Sequence, residues 1–199
     1  MGLKSFLEQH DLPINRGLFL VYGKAGVGKT TFLMEFAASC NGKALIIDAE
    51  NGFNVERFKQ ISGEHVELDN LLVAKPKDFE DQAKIISNVL DNEKLFDFIG
   101  VDTIGKNYRE PSREDRTKAN NEIARQMRIL KEISRKKPVV VCNQVYQDIK
   151  KNKVAPVGRH YVTKWCDYVI FLDDVNNVRT LEVAGKKTGF TLTASGFSF

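Results

Sequence analysis

One glycine-rich segment constrains the fold of this chain more than any other feature. Residues 23–30 fit the pattern G-x-x-x-x-G-K-[ST] at every fixed position. Glycine lets the backbone take conformations that a side chain would block, so successive N–H groups can point at one anion. In such loops the lysine reaches the β- and γ-phosphates, and the following hydroxyl ligates Mg²⁺. The candidate phosphate-binding residues are Gly23, Lys24, Ala25, Gly26, Val27, Gly28, Lys29, Thr30 and Thr31.

The neighbours of this motif support the interpretation, because a phosphate loop needs a strand before it and a helix after it. Residues 18–22 form a short apolar run, which is typical of a buried strand. Residues 29–40 place apolar side chains on one helical face, and the start of that helix adds partial positive charge beneath bound phosphates. The sequence therefore predicts a nucleotide-binding protein.

Composition sets wider limits. A chain of 199 residues fits a single domain, so we expect one domain over residues 1–199. No apolar run approaches the roughly 20 residues of a membrane span, and three cysteines without C-x-x-C spacing favour a reduced, cytoplasmic protein. The net charge of +4 permits an acidic partner such as nucleic acid but does not require one.

Apolar runs alternate with helical patterns along most of the chain, which predicts an α/β fold with a mainly parallel sheet flanked by helices. The pattern changes after residue 172. Residues 178–184 and 189–194 have the composition of strands, and residues 185–188 separate them, so we expect a C-terminal antiparallel β-hairpin. The strands expected before it are residues 18–22, 44–48, 71–74, 97–102, 139–143 and 168–172.

Polar residues follow three of these strands at the edge where parallel strands present their carboxyl ends to a ligand. Asp102 ends one strand and is the candidate Mg²⁺ ligand, together with Thr30. Glu50 is the candidate general base, with Asp48 as the competing carboxylate. Gln144 could sense the γ-phosphate, although a turn residue explains it nearly as well. The candidate catalytic residues are Glu50, Lys29 and Gln144.

Together these segments resemble a known family. The phosphate loop is followed by Ile-Asp-Ala-Glu-Asn-Gly-Phe at residues 47–53, Val-Asp-Thr-Ile at 101–104 and Cys-Asn-Gln-Val at 142–145. This order resembles the RecA-type recombinases, most closely their archaeal paralogues, over about residues 18–173. The resemblance implies a RecA-like P-loop ATPase core that binds ATP and Mg²⁺, with single-stranded DNA held by two loops. It also implies that Glu50 activates water and that Gln144 couples the nucleotide to DNA.

Departures from that family pattern refine the expectation. Asn51 stands where the family usually has glycine, and residues 8–11 replace a double glycine that normally precedes the first strand. We find neither an N-terminal helix-hairpin-helix domain nor a Phe-x-x-Ala polymerisation motif. The sequence therefore predicts an accessory paralogue that works with a main recombinase or other repair proteins, and it leaves the oligomeric state open. A nucleotide-switched mediator with little turnover is the alternative.

A basic segment over residues 146–164 is the candidate DNA-binding region. Tyr146 and Tyr161 alternate there with basic residues, which suits stacking on the bases of a single strand. Residues 154–158 suggest a mobile loop, and an ordinary solvated loop is the simpler interpretation. The candidate DNA-binding residues are Lys150, Lys151, Lys153, Arg159 and Lys164.

Two further groups of cations allow other interpretations. Lys186 and Lys187 could stabilise charge on a neighbouring subunit's ATP, or could simply decorate a hairpin turn. Arg109, Arg113 and Arg116 could form the lid of a P-loop kinase acting on a small metabolite. Transfer of the γ-phosphate to a small molecule would identify that kinase.

Overall fold

The computed structural model describes residues 1–40, 42–63, 68–109, 111–148 and 153–199, and the side chains of Ser112, Gln147, Asp148 and Lys153 lie outside that description. The helices are α1 Leu3–Gln9, α2 Lys29–Ser39, α3 Val55–Ser62, α4 Phe79–Asp91, α5 Pro111–Glu114, α6 Arg116–Ser134 and α7 Arg159–Thr163. The strands are β1 Gly17–Gly23, β2 Ala44–Asp48, β3 Leu71–Ala74, β4 Phe98–Asp102, β5 Pro138–Asn143, β6 Val145–Asp148, β7 Lys153–Pro156, β8 Tyr168–Val175, β9 Val178–Val183, β10 Lys186–Thr193 and β11 Gly196–Ser198. Two 3₁₀ turns, Leu68–Asn70 and Glu93–Leu95, precede β3 and β4.

A central sheet organises the described part of the chain, with the strand order β11-β10-β9-β8-β1-β5-β4-β2-β3. The strands from β8 to β3 in that order are mutually parallel, whereas β9, β10 and β11 extend the sheet with each strand antiparallel to its neighbour. All the parallel carboxyl ends therefore meet at one edge. The predicted class, a mainly parallel α/β sheet with an antiparallel C-terminal extension, is confirmed.

Helices cover the two faces of this sheet, and the alternation along β1 shows how the sequence specifies both. Phe19 and Val21 point into a cluster with α1 and α2, while Leu18 and Leu20 point into a second cluster with α4 and α6. Because both faces are buried, the strand is apolar at nearly every position rather than at every second one.

The predicted strands before residue 173 are confirmed to within a few residues, and local contacts explain how the helices beside them are positioned. The Asp78 side chain caps α4 by accepting a hydrogen bond from Asp81 N. Gly100 lies where α2 approaches the sheet, since a Cβ there would be 3.0 Å from the Leu33 side chain. Helix α6 begins at Arg116, because the Asp115 side chain caps it by accepting a hydrogen bond from Lys118 N.

Three predictions need correction. The C-terminal hairpin exists, but its turn is Ala184–Gly185, both with positive φ, so Lys186 and Lys187 lie in β10 rather than in the turn. Residues 154–156, part of the mobile loop predicted over residues 154–158, lie instead in strand β7 and pair with β6. The short strand β11 was not predicted; its pairing with β10 depends on contacts with distant parts of the chain.

The C-terminal strands pack against the helix that follows the phosphate loop. Glu35 in α2 accepts hydrogen bonds from Leu3 N and Phe197 N, both at 2.7 Å, and so joins the two ends of the described chain. Arg57 donates to the carbonyl oxygens of Thr193 and Ala194. A Cβ at Gly28 would lie 3.1 Å from Leu192, so this extension supports the phosphate loop directly.

Among the described residues, no helix is both long enough and apolar enough to cross a bilayer.

Candidate functional site

The phosphate loop joins the end of β1 to the start of α2. Gly26 and Gly28 have φ values of 76° and 114°, a region that side-chain-bearing residues rarely adopt. Gly28 also precedes the first turn of α2, and its carbonyl oxygen accepts from Phe32 N at 2.8 Å. The loop therefore has the left-handed turns and the helix N-terminus that an anion-binding loop requires.

The Lys29 side chain folds back onto the first residues of this loop. Its side chain is 7% exposed, and its ammonium group donates to the carbonyl oxygens of Gly23 at 3.1 Å and Lys24 at 2.8 Å. These neutral acceptors keep the charge next to the loop without neutralising it. A phosphate would therefore find the cation already in position.

Thr30 and Asp102 face each other beside the loop, as predicted for a shared Mg²⁺ site. The Thr30 hydroxyl donates to Asp102 Oδ2 at 2.5 Å, and Asp102 is 3% exposed at the end of β4. Burial raises the pKa of Asp102 to about 6, the nearby Glu50 and Asp48 carboxylates add to the rise, and Thr30 and Lys29 oppose it.

This pair fits Mg²⁺, which prefers oxygen ligands and keeps several waters. Because burial destabilises the charged form of Asp102, a bound cation would stabilise that carboxylate strongly. Among the described residues, no three His, Cys, Asp or Glu side chains cluster closely enough to hold a metal ion. A cation at Thr30 and Asp102 would therefore complete its shell with phosphate oxygens and water.

Replacing Asp102 tests the cost of this buried charge. The ordinary pKa of Asp102 is 3.8 and the folded value is about 6, so the contribution of Asp102 to stability is most favourable below pH 4 and is lost as the pH rises through 6. We expect Asp102→Asn to raise the free energy of unfolding without ligands by about 1–3 kcal/mol at pH 7.5. Urea unfolding at pH 7.5 and at pH 4.5 measures this, and the gain should shrink at the lower pH. A variant less stable than wild type at pH 7.5 would contradict the assignment.

Glu50 lies at the junction of three strand ends. It follows β2, and its Oε1 accepts from Thr103 Oγ1 at 2.9 Å and from Gln144 Nε2, which follows β5. The Asp102 carbonyl oxygen accepts from the backbone N–H groups of Ala49 and Glu50 at 2.7 and 3.1 Å, which fixes the loop after β2 against β4. The structure therefore brings the three predicted strand-end side chains together.

Asp48, the competing carboxylate, has a different environment. It is 1% exposed, and its two oxygens accept from Gly52 N and Phe53 N at 3.1 and 3.0 Å. Both oxygens are thus used in the turn over residues 49–53, in which Asn51 has a φ of 55°. Neither carboxylate caps α3, because Asn54 does so. This geometry favours Glu50 over Asp48 as the base.

The residues after β5 connect this site to the hairpin formed by β6 and β7. The Gln144 carbonyl oxygen accepts from Val157 N at 2.9 Å, and the buried Asn143 side chain donates to the Val157 carbonyl oxygen at 2.7 Å. The side chain of Gln144 contacts Glu50 while its backbone holds the residue that follows the hairpin. A shift of Gln144 would therefore change its contacts with both Glu50 and Val157.

A basic groove of about 660 Å³ lies beyond Val157. Its wall combines residues from the segment after β4, from β6 and from helices α5, α6 and α7. Among the described residues no carboxylate lines it. The cationic and titratable basic side chains on its wall are Arg109, Arg113, Arg116, Arg159 and His160, and the aromatic ones are Tyr108, Tyr146 and Tyr161.

The groove includes only part of the predicted DNA-binding set. Arg159 lines it, whereas Lys164 lies 5.0 Å over the Trp165 ring and is not part of the wall. Lys150 and Lys151 lie outside the described residues, and for Lys153 only the backbone, paired with Asp148, is described. Sequence reasoning did not assign Arg113 and Arg116 to this surface and considered them only for a possible kinase lid; Glu114 and Asp115, which lie between them, conceal any basic pattern.

Comparisons with known proteins agree with this geometry. A family model described as an AAA domain matches residues 18–193. The DNA repair and recombination protein RadB of Pyrococcus abyssi is 33% identical over 80% of this chain and 72% of its own length. RadB of Pyrococcus furiosus is 34% identical over 82% of this chain and 76% of its own length. A crystal structure of the RadB recombinase superposes with a TM-score of 0.83 at 25% identity, covering 98% of this chain and 96% of that one.

The phosphate loop between β1 and α2, with a buried aspartate at the end of β4, defines a RecA-like P-loop NTPase fold, which implies nucleotide binding and usually Mg²⁺. Within that class, the two relatives compared above are both RadB proteins. The chain belongs to the RadB family of DNA repair and recombination proteins.

Proposed function

We propose that this protein binds ATP with Mg²⁺ at the phosphate loop, hydrolyses it slowly, and binds single-stranded DNA in the basic groove to assist homologous recombination and repair. The observation that carries the proposal is the hydrogen-bonded path from Glu50 through Gln144 to Val157. That path joins the nucleotide side of the sheet to the groove. A main recombinase or another repair protein is the expected protein partner.

The nucleotide chemistry follows from the residues around the loop. Lys29 would exchange its two carbonyl acceptors for phosphate oxygens, and Thr30 with Asp102 would hold Mg²⁺ directly or through water. Bound Mg²⁺ neutralises charge on the phosphates. Glu50 would orient the attacking water and accept its proton, because a turn uses both oxygens of Asp48 and Asp102 faces Thr30 at the candidate Mg²⁺ position.

Coupling to DNA would use the same Glu50. A water molecule that donates to Glu50 competes with the hydrogen bond that Gln144 Nε2 donates to the same carboxylate. Gln144 then changes position, and Val157 moves with it, because their backbones are hydrogen-bonded at 2.9 Å. Since Val157 also lines the groove, nucleotide binding alters the shape of the DNA site. Linkage requires the reverse effect as well, so DNA changes the affinity for nucleotide.

The arginines of the groove test the DNA site. We expect the double variant Arg113→Ala/Arg116→Ala to weaken oligothymidylate binding by about 5- to 50-fold, because phosphate contacts dominate such affinity. The slope of log K against log salt should fall in magnitude by about 1–2, since roughly 0.7 counterions are released per contact on a single strand. Fluorescence anisotropy over a salt series measures both quantities.

The double variant Lys84→Ala/Lys94→Ala is the matched control, because it also removes two positive charges and both lysines are exposed outside the groove. It should leave the affinity and the salt slope close to those of wild type. Equal losses from the control and the groove variant would show that only net charge matters, and would rule out the groove as the DNA site.

A further inference from the structure

Thr103 is a buried residue of the site that the proposed function does not use. It directly follows Asp102 at the end of β4, it is 1% exposed, and its hydroxyl donates to Glu50 Oε1 at 2.9 Å. Two consecutive residues thus serve different partners, because the Asp102 side chain contacts Thr30 and the Thr103 side chain contacts Glu50. This second contact connects the end of β4 to the candidate base.

The backbone around Thr103 is held on both sides. The preceding Asp102 carbonyl oxygen accepts from Glu50 N at 3.1 Å, and the following Ile104 N donates to the Cys142 carbonyl oxygen at 3.1 Å. In threonine a single torsion separates the backbone from the hydroxyl, and branching at Cβ restricts that torsion. The Thr103 hydroxyl therefore has little freedom to leave Glu50.

Gln144 is the less constrained of the two donors to Glu50. It reaches the carboxylate through a longer side chain, and its hydrogen bond ends at Oε1, the oxygen that Thr103 also uses. In the part of the chain that the structure describes, Oε2 receives no donor, so it is the oxygen available to the attacking water. A water at Oε2 draws charge from the carboxylate, and Gln144 rather than Thr103 is then the donor that leaves.

We propose that Thr103 is a positioning residue for ATP hydrolysis, which holds Glu50 with Oε2 towards the attacking water while Gln144 is released to alter the DNA groove. This inference rests on the proposed function, because it requires Glu50 as the base. In the reaction the water oxygen bonds to the γ-phosphorus, and its proton moves to Glu50 Oε2. The bond from that phosphorus to the β–γ bridging oxygen breaks, ADP and phosphate leave, and the proton passes from Glu50 to solvent.

Thr103→Val removes the hydroxyl and keeps the shape of the side chain. We expect kcat for ATP hydrolysis to fall by about 10- to 100-fold, the cost of a misplaced reacting group. Both KM and the affinity for a non-hydrolysable ATP analogue should stay within about threefold of wild type, because the lost contact does not bind the nucleotide. Thr103→Ser restores the hydroxyl without the methyl group and should recover most of kcat, which separates the hydrogen bond from packing.

Thr103 and Gln144 should also differ in their effects on DNA binding. We expect Thr103→Val to keep the effect of the ATP analogue on oligothymidylate affinity, because Gln144 still contacts both Glu50 and Val157. Gln144→Ala should lose that effect. Fluorescence anisotropy with and without the analogue measures the difference on the same preparations that are used for kcat.

Ser134→Ala is the matched control for the loss of a buried hydroxyl. Ser134 is also 1% exposed, and its hydroxyl donates to the Lys131 carbonyl oxygen at 2.8 Å at the end of α6. The control should lower the thermal stability without changing kcat, because a lost buried hydrogen bond destabilises the fold wherever it lies. Thermal unfolding and analogue binding show that each variant is folded, and Thr103→Ala replaces Thr103→Val if the latter does not fold.

Three results overturn the positioning role. They are a wild-type kcat in folded Thr103→Val, a failure of Thr103→Ser to recover kcat, and an equal loss of kcat in Ser134→Ala. In each case, loss of hydrolysis in Glu50→Gln would still uphold the proposed base. Wild-type hydrolysis by Glu50→Gln, or no hydrolysis by the wild-type protein, overturns both the positioning role and the proposed hydrolysis.

Discussion

Lys29→Ala should weaken the binding of an ATP analogue by at least about 100-fold, because it removes a buried cation already placed at the phosphate loop. A charged hydrogen bond in a site shielded from water contributes more than one at the surface. The substitution also leaves the Gly23 and Lys24 carbonyl oxygens without this donor. Isothermal titration calorimetry with Mg²⁺ present measures the affinity.

Lys24→Ala is the matched control from the same loop. Lys24 is exposed, and only its carbonyl oxygen contacts Lys29, so removal of its side chain should change the nucleotide affinity by less than about threefold. Thermal unfolding without nucleotide shows whether either variant has lost its fold. If the two variants lose affinity equally, or if Lys29→Ala binds as wild type does, the phosphate site is placed wrongly.

Glu50→Gln should reduce ATP hydrolysis by about 10²- to 10⁴-fold, the usual contribution of a general base, while ATP binding stays within a fewfold of wild type. The amide keeps the size of the side chain, and its oxygen can still accept from Thr103 Oγ1 and Gln144 Nε2. What it loses is the ability to accept a proton from water. Steady-state phosphate release and analogue binding, measured on the same preparation, separate the two effects.

Glu56→Gln controls for the loss of a nearby negative charge. Glu56 is exposed on α3 and pairs only with Lys59 in the described structure, at 3.3 Å, so hydrolysis should not change. If Glu50→Gln hydrolyses ATP at the wild-type rate, Glu50 is not the base. Asp48 would then be the next carboxylate to test, despite the two backbone hydrogen bonds that occupy it.

The nucleotide side of the molecule could be predicted because its elements are coded locally. Each strand there is an apolar run buried on both faces, and a polar residue marks its carboxyl end. Parallel pairing of β2, β4 and β5 then brings Glu50, Asp102 and Gln144 to the same edge of the sheet. The sequence names Glu50 and Asp48 as competing candidates for the base, but it does not show that a turn uses both oxygens of Asp48, because those backbone contacts form only in the folded loop.

The groove side could not be predicted to the same extent. Strands β6 and β7 mix polar and apolar residues and contain no long apolar run, so they look like loop until Val145 pairs with Pro156. Arg113 and Arg159 are 46 positions apart, and they share a wall only because the segment after β4 and helix α7 meet there. Strand β11 likewise depends on Glu35, 162 positions before Phe197. Contacts between distant segments determine all three features.

The central claim is that nucleotide and DNA are coupled through Gln144. The most direct measurement is the affinity of the wild-type protein for oligothymidylate with and without a non-hydrolysable ATP analogue and Mg²⁺. On the proposed function, we expect the analogue to strengthen DNA binding by about 5- to 150-fold, the range of an ordinary coupling free energy, and we expect Gln144→Ala to abolish the difference. Equal DNA affinities with and without the analogue in wild type would contradict the account.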